Sequence, residues 1–218
     1  MNRLAVLLVL GLCLAAGARA QQTQPDTQFL VAKPGMRDPN FREAVVLVTQ
    51  DEFGQAVGVI VNRPTDRSLA ELLPGERFKN FTEPVFFGGP VGANGLFAVF
   101  RSRETPAKAI TLLPGLYLAL NPDTIDALLG KPPQKIRFFS GYAGWAPGQL
   151  RAEIERGDWL ELDADADAVF RKDTSKLWEE MVRRASAIRA GAERSYGCVL
   201  SPMLCMMRPS SASSFAIN

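Results

Sequence analysis

The stretch Phe138–Leu160, FFSGYAGWAPGQLRAEIERGDWL, places the tightest demands on any fold of this chain. It opens as a strand-like apolar run and breaks into a tight loop holding Gly141, Gly144 and Gly148. It then becomes a short amphipathic helix and returns to a second tryptophan, Trp159. Glycines permit backbone approaches closed to other residues, and Tyr142 and Trp145 bring large aromatic faces with polar tips. Two readings follow. In one, the loop is a rigid structural corner, with Trp145 plugging the core and Gln149 bonding a neighbouring carbonyl. In the other it lines a ligand pocket, with Gln149 as a polar selector.

The segments before this stretch read mostly as strands. Phe29–Ala32 starts the fold, and Ala44–Gln50 and Ala56–Asn62 are β-branched runs joined closely enough to form a hairpin. Pro64 stops the second of these, because proline donates nothing to a ladder. Ser68 and Glu71 form a capping-box pattern that opens a short helix. Val85–Phe87 and Gly95–Arg101 are strands separated by Gly88-Gly89-Pro90, and Pro114-Gly115 turns between Ala109–Leu113 and Leu116–Ala119. Asn121-Pro122-Asp123 caps a helix running to Leu129. After the central stretch, Ala166–Phe170 reads as an edge segment and Ser175–Ala187 as a final amphipathic helix. Leu177, Trp178, Met181 and Val182 of that helix point inward. The sum is α+β: a single domain over residues 28–188, mainly antiparallel, with three or four short helices. Residues 189–218 read as a poorly ordered tail.

The first residues carry an export pattern. Asn2-Arg3 precedes the apolar run Leu4–Ala16, and Ala18-Arg19-Ala20 fits a small-x-small cleavage site. Residues 1–20 are therefore expected to be a signal peptide and 21–27 a polar linker, with periplasmic or secreted localisation. An uncleaved anchor is the alternative. Without Arg3 and Arg19, the 25 basic residues fall to 23, equal to the 23 acidic ones. A neutral domain lacks the basic excess of most nucleic-acid binders. Cys198 and Cys205 remain in the mature chain, either as a small-loop disulfide or as two free thiols.

Chemistry is harder to find. The chain has no histidine, which removes Ser-His-Asp and Cys-His catalysis and histidine-bearing metal sites. No nucleophile elbow, phosphate loop or dinucleotide fingerprint is present, so no catalytic residue, metal or cofactor is expected. Gly88 and Gly89 form either a tight turn or an anion nest of backbone N–H groups. Asp163, Asp165 and Asp167 alternate with alanines but lack the remaining ligands of a calcium loop. Asn62 and Arg63 end a strand, where Arg63 either captures a carboxylate or phosphate or makes an internal salt bridge and caps backbone. The candidate ligand-binding set is Asn62, Arg63, Gly88, Gly89, Tyr142, Trp145 and Gln149, with Arg63 expected to approach the Gly141–Gln149 loop.

Four segments in order, FLVAKPGMRDPNF, AVGVIVNRP, PVFFGGPV and GYAGWAPGQLRAEIERGDWL, resemble the AlgH/YqgE family of bacterial proteins. The resemblance covers about residues 28–180. It implies a small closed or bifurcated β-sheet surrounded by short helices, and it carries no established catalytic residues. Members look cytoplasmic, and a role in transcriptional regulation has been proposed for the family. The leader and the cysteine-bearing tail depart from that pattern. Three functions follow: an exported, non-enzymatic binding or interaction protein with a small ligand or protein partner, a regulator of gene expression, or an unrecognised hydrolase using Asp, Ser or Tyr.

Overall fold

The β-branched runs pair as antiparallel neighbours and curl into a half-barrel. A computed structural model describes residues 26–200, with side chains to residue 191. The strands are β1 (Asp26–Ala32), β2 (Val45–Gln50), β3 (Ala56–Ile60), β4 (Pro64–Ser68), β5 (Pro84–Phe87), β6 (Val91–Arg101), β7 (Ile110–Leu113), β8 (Leu116–Ala119), β9 (Ile136–Trp145) and β10 (Trp159–Asp163). The helices are α1 (Leu69–Leu72), α2 (Pro122–Gly130), α3 (Gln149–Glu155), α4 (Ala166–Val169) and α5 (Leu177–Leu200), with a 3-10 turn over Glu76–Phe78. The main strand order is β10-β1-β2-β3-β9-β6-β8-β7.

The sheet forks at β9. One edge of this strand pairs antiparallel with β6. The other edge is shared: β3 takes Ala143–Trp145 in antiparallel register, and β5 takes Phe139 and Ser140 in parallel. At the junction Gly88 N–H donates to Ser140 O and Gly88 O accepts from Ile60 N–H, both at 2.9 Å. Backbone crosses backbone here. A Cβ on Gly88 would sit 2.3 Å from Gly141 O, one on Gly89 would sit 2.4 Å from Tyr142, and one on Gly141 would sit 2.2 Å from Gly89 O. Gly141 also has φ +73°, a left-handed value that disfavours other residues. The predicted tight loop through Gly141 and Gly144 is instead strand as far as Trp145, and Gly141 serves a crossing rather than a turn.

Three apolar layers follow from the strand alternation. Val31, Leu47, Val59, Val99, Leu118 and Phe139 meet on the concave face, closed by Leu177, Met181 and Ala185 of α5 and Val169 of α4. Trp178 joins α5 to β1 through an indole N–H donated to Ala32 O at 2.7 Å. Outside one wing, Leu30, Val46, Ile60 and Trp145 lie under α3. Outside the other, Phe100, Tyr117 and Phe138 lie under α1 and α2. Arg137 is buried, with its guanidinium 4.1 Å from the Phe86 ring centroid and donating to Val169 O and Arg171 O. Burial lowers its pKa from the ordinary arginine value, with Glu83 partly offsetting the effect.

Several local expectations hold and others need correction. The Ser68–Glu71 capping box forms, and Asn121 caps α2 by accepting from Asp123 N–H. Pro64, however, opens a strand of its own, since β4 is a short edge that pairs only with β5. Ala166–Phe170 yields the helix α4 rather than an edge segment, with Asp165 as its cap. The sheet begins at Asp26, two residues inside the expected linker, and α5 continues past Ala187 to Leu200. Five α-helices are present among the described residues rather than the expected three or four. No helix among the described residues is long and apolar enough to cross a membrane. The leader, Cys205 and the Cys198 side chain lie outside what is described.

Gly141→Ala combines left-handed strain with a clash against the Gly89 carbonyl. It is expected to destabilise the domain by roughly 2–4 kcal/mol in urea unfolding. Gly130→Ala, where no atom lies within 4 Å of an added Cβ, is expected to leave stability unchanged or slightly raised.

Candidate functional site

The end of β9 builds the corner expected from the tryptophans. Trp145 and Trp159 are both buried, and each indole N–H donates to Glu153 Oε2, at 2.9 and 3.0 Å. Gln149 Nε2 donates to Glu153 Oε1 at 3.0 Å, while Gln149 Oε1 accepts from Ala146 N–H at 3.2 Å. One carboxylate thus ties β9, α3 and β10 together. Phe41 covers the pair, stacked on Trp145 at 5.8 Å and edge-on to Trp159 at 5.4 Å between ring centroids. Glu153 is not among the candidate residues that the sequence singles out. The signal that could have found it was its spacing of four from Gln149 between two tryptophans that both need acceptors.

A cleft of about 580 Å³ opens over this corner, lined by Lys33, Met36, Arg37, Phe41, Gln149 and Arg156 among others. Arg156 is neutralised by Asp158, which accepts from its Nε and Nη2 at 3.0 and 2.6 Å. Lys33 and Arg37 have no ion-pair partner among the described residues. The lining also carries the carboxylates of Asp38, Glu153 and Asp158, so its formal charges balance while Lys33 and Arg37 stay outside any ion pair.

Asn62 and Arg63 serve the loop beneath Phe41. Asn62 Oδ1 accepts from Val45 N–H, and its Nδ2 donates to Glu43 O, both at 2.8 Å. The two arms of the Arg63 guanidinium donate to Asn40 O and Arg42 O at 2.5 Å each. These carbonyls flank Phe41, so Arg63 holds in place the ring that stacks on Trp145. Desolvation lowers the Arg63 pKa from its ordinary value, and Glu43 opposes that shift. Glu43 itself sits at φ +57°, an uncommon value for a non-glycine residue, inside the clamped turn. Asn62 and Arg63 line a separate cleft of about 410 Å³ with Pro39, Glu43 and Trp178. The expected composite of Arg63 with the Trp145 loop is therefore mechanical, and the two do not line one cavity.

The other candidates divide by backbone geometry. Gly88 spends its N–H on Ser140 O, so a Gly88-Gly89 anion nest loses that donor to the sheet crossing. Tyr142 lies on the opposite face of β9 from Trp145 and packs edge-on against Phe97 at 5.3 Å. Only Trp145 and Gln149 of the predicted set come together around the cleft. Of the three alternating aspartates, Asp165 caps α4, and Asp167 accepts from Arg101 and Lys135 at 3.2 Å each. The Lys135 hydrogen bond and charge are the main causes that hold the Asp167 carboxyl below its usual pKa. Among the described residues no group of three or more His, Cys, Asp or Glu side chains could hold a metal ion.

Glu153→Gln leaves one acceptor oxygen where three donors converge on two, so either the indole N–H groups or the Gln149 amide lose their acceptor. The expected cost is about 1–3 kcal/mol in urea unfolding. A red-shifted, less structured tryptophan emission is expected in the folded variant.

The chain has clear relatives. The profile of the family described as AlgH-like, DUF179, matches residues 29–188. A UPF0301 protein of Myxococcus xanthus is 37% identical over 159 residues, covering 71% of this chain and 87% of the relative. One from Chlorobaculum tepidum is 31% identical over 159 residues, covering 72% and 84%. The solution structure of the AlgH protein from Pseudomonas aeruginosa superposes with a TM-score of 0.58 at 28% identity, over 85% of this chain and 95% of that one. A crystal structure of a Corynebacterium diphtheriae protein gives 0.56 at 25% identity, over 72% and 85%. The profile match over residues 29–188, the identity to these relatives and the superposition agree: this chain belongs to the AlgH-like family.

Proposed function

We propose that this chain is an exported, non-enzymatic binding protein whose site is the cleft over the Trp145–Trp159 corner. One observation carries the reading. Glu153, the carboxylate at the base of the cleft, accepts from two indoles and one amide, three of its roughly four lone-pair sites, which commits it to the corner rather than to proton transfer. What remains open to a ligand is recognition chemistry. Met36 and Phe41 offer apolar surface, and Lys33 and Arg37 offer cationic donors that no ion pair occupies. The fitting ligand has an apolar body and an anionic group, such as a carboxylate. Export rests on the leader pattern from Arg3 to Ala20, which would place that ligand outside the cytoplasm.

The test uses the full chain expressed in a bacterial host with two membranes. Fractionation is expected to recover protein starting at Gln21 in the periplasm, whereas protein starting at Met1 in the cytoplasm overturns the export claim. Native mass spectrometry of the recovered protein is expected to show a bound anionic species. A folded Lys33→Glu/Arg37→Glu variant is expected to lose it. Wild-type protein without such an adduct, or a variant that keeps it, removes the cleft as the binding site.

A further inference from the structure

Gly144 is unlike the other glycines of the sheet. At Gly58 and Gly141 an added Cβ would meet backbone oxygen at 2.3 and 2.2 Å, so close strand packing explains both. At Gly144 the nearest atoms are side-chain carbons of Tyr142 at 3.4 Å and Val91 at 3.9 Å, and φ is not left-handed. Neither backbone strain nor backbone contact requires glycine there. A glycine inside a strand costs stability, and where nothing packs against it, it marks a place that something else approaches.

That place is a cavity of about 820 Å³ at the mouth of the curled sheet. Its apolar floor comes from Val57, Val91, Ile110, Leu120 and Tyr142. Val57 is the cross-strand partner of Gly144, and Ile110 lies on β7, at the far end of the strand order. The curl brings the two wings face to face here, beyond the part of the concave side that α4 and α5 fill. Val91 is 39% exposed, a large apolar side chain left open to the cavity.

The polar lining selects among ligands. No lysine or arginine lines the cavity, and its one carboxylate, Asp51, caps its own turn by accepting from Phe53 and Gln55 N–H groups. Thr49 Oγ1 accepts from Thr27 and Gln50 Nε2 donates to Gly54 O. The Tyr142 and Thr111 hydroxyls and the Gln55 amide make no side-chain hydrogen bond among the described residues. The cavity volume lies in the range of small-molecule sites, about 300–1,000 Å³, and is too small for a docked helix of several turns. We propose that this mouth binds a small uncharged ligand with an apolar body and one hydrogen-bonding group, and that Gly144 keeps the space open for it. The site is distinct from the cleft over Trp159, where free lysine and arginine favour an anion.

The probe is N-phenyl-1-naphthylamine, a neutral aromatic with a single N–H whose fluorescence rises in apolar surroundings. Wild-type protein is expected to give a saturable rise. Gly144→Leu, whose Cβ would meet side-chain carbons of Tyr142 and Val91 and no backbone within 4 Å, is expected to weaken binding at least about tenfold with the urea midpoint retained. Ile110→Glu on the edge strand is expected to do the same, and it decides the matter if the leucine variant does not fold. Lys33→Glu/Arg37→Glu is expected to leave probe binding unchanged, which separates this site from the anionic cleft. The inference is overturned by an absence of saturable signal, or by undiminished binding in a folded cavity variant. It is also overturned if light scattering finds a wild-type dimer that the variants dissociate and that excludes the probe, since the mouth would then be a contact between copies.

Discussion

The whole sheet depends on one backbone crossing, where Gly88-Gly89 passes over Gly141-Tyr142 with no room for a Cβ on any of the three glycines. Because β9 is met there by β5 and then by β3 along the same edge, a single strand carries both wings of the half-barrel. Hydrogen bonds from Gly88 to Ser140 and from Ile60 to Gly88 keep the transition from leaving buried backbone groups unpaired. If the crossing were looser, the two wings would lose their fixed angle, and the concave face would not close over α5.

Downstream of that crossing, β9 delivers alternate side chains to two different environments. Trp145 goes outward to the corner, where Glu153 gathers two indoles and Arg63 fixes the Phe41 loop against them. Tyr142 and Gly144 go inward to the mouth of the sheet. Two cavities of different chemistry thus lie on the two faces of one strand, with Gly144 and Trp145 bordering both. The outer one carries lysine and arginine groups outside any ion pair, and the inner one is lined by no lysine or arginine. This separation follows from strand periodicity alone.

Much of the fold was readable because local rules and tertiary structure agreed. The valine-rich hairpin, the Ser68–Glu71 box and the Asn121 cap all satisfy their own backbone groups, so they form as their composition dictates. The family motifs likewise pointed to the correct fold. The misreadings came where distant partners overrode local preference. Gly141 and Gly144 looked like a turn, but one meets Gly89 and the other borders an open space. Glu153 escaped notice because its two indole partners come from strands on either side of its helix. Arg63 left two readings open, and two carbonyls of a loop about twenty residues earlier select the one in which it caps backbone.

The sequence by itself determined the α+β class, the family, the positions of most strands and caps, and the lack of any histidine-based chemistry. These depend on residue type and short-range spacing, which one chain displays directly. Only the tertiary structure decided which aromatic rings meet, which polar groups are spent on internal hydrogen bonds and which remain open to a ligand. Those outcomes depend on contacts between segments far apart in the chain, and on the curl of the sheet that brings β7 opposite β3.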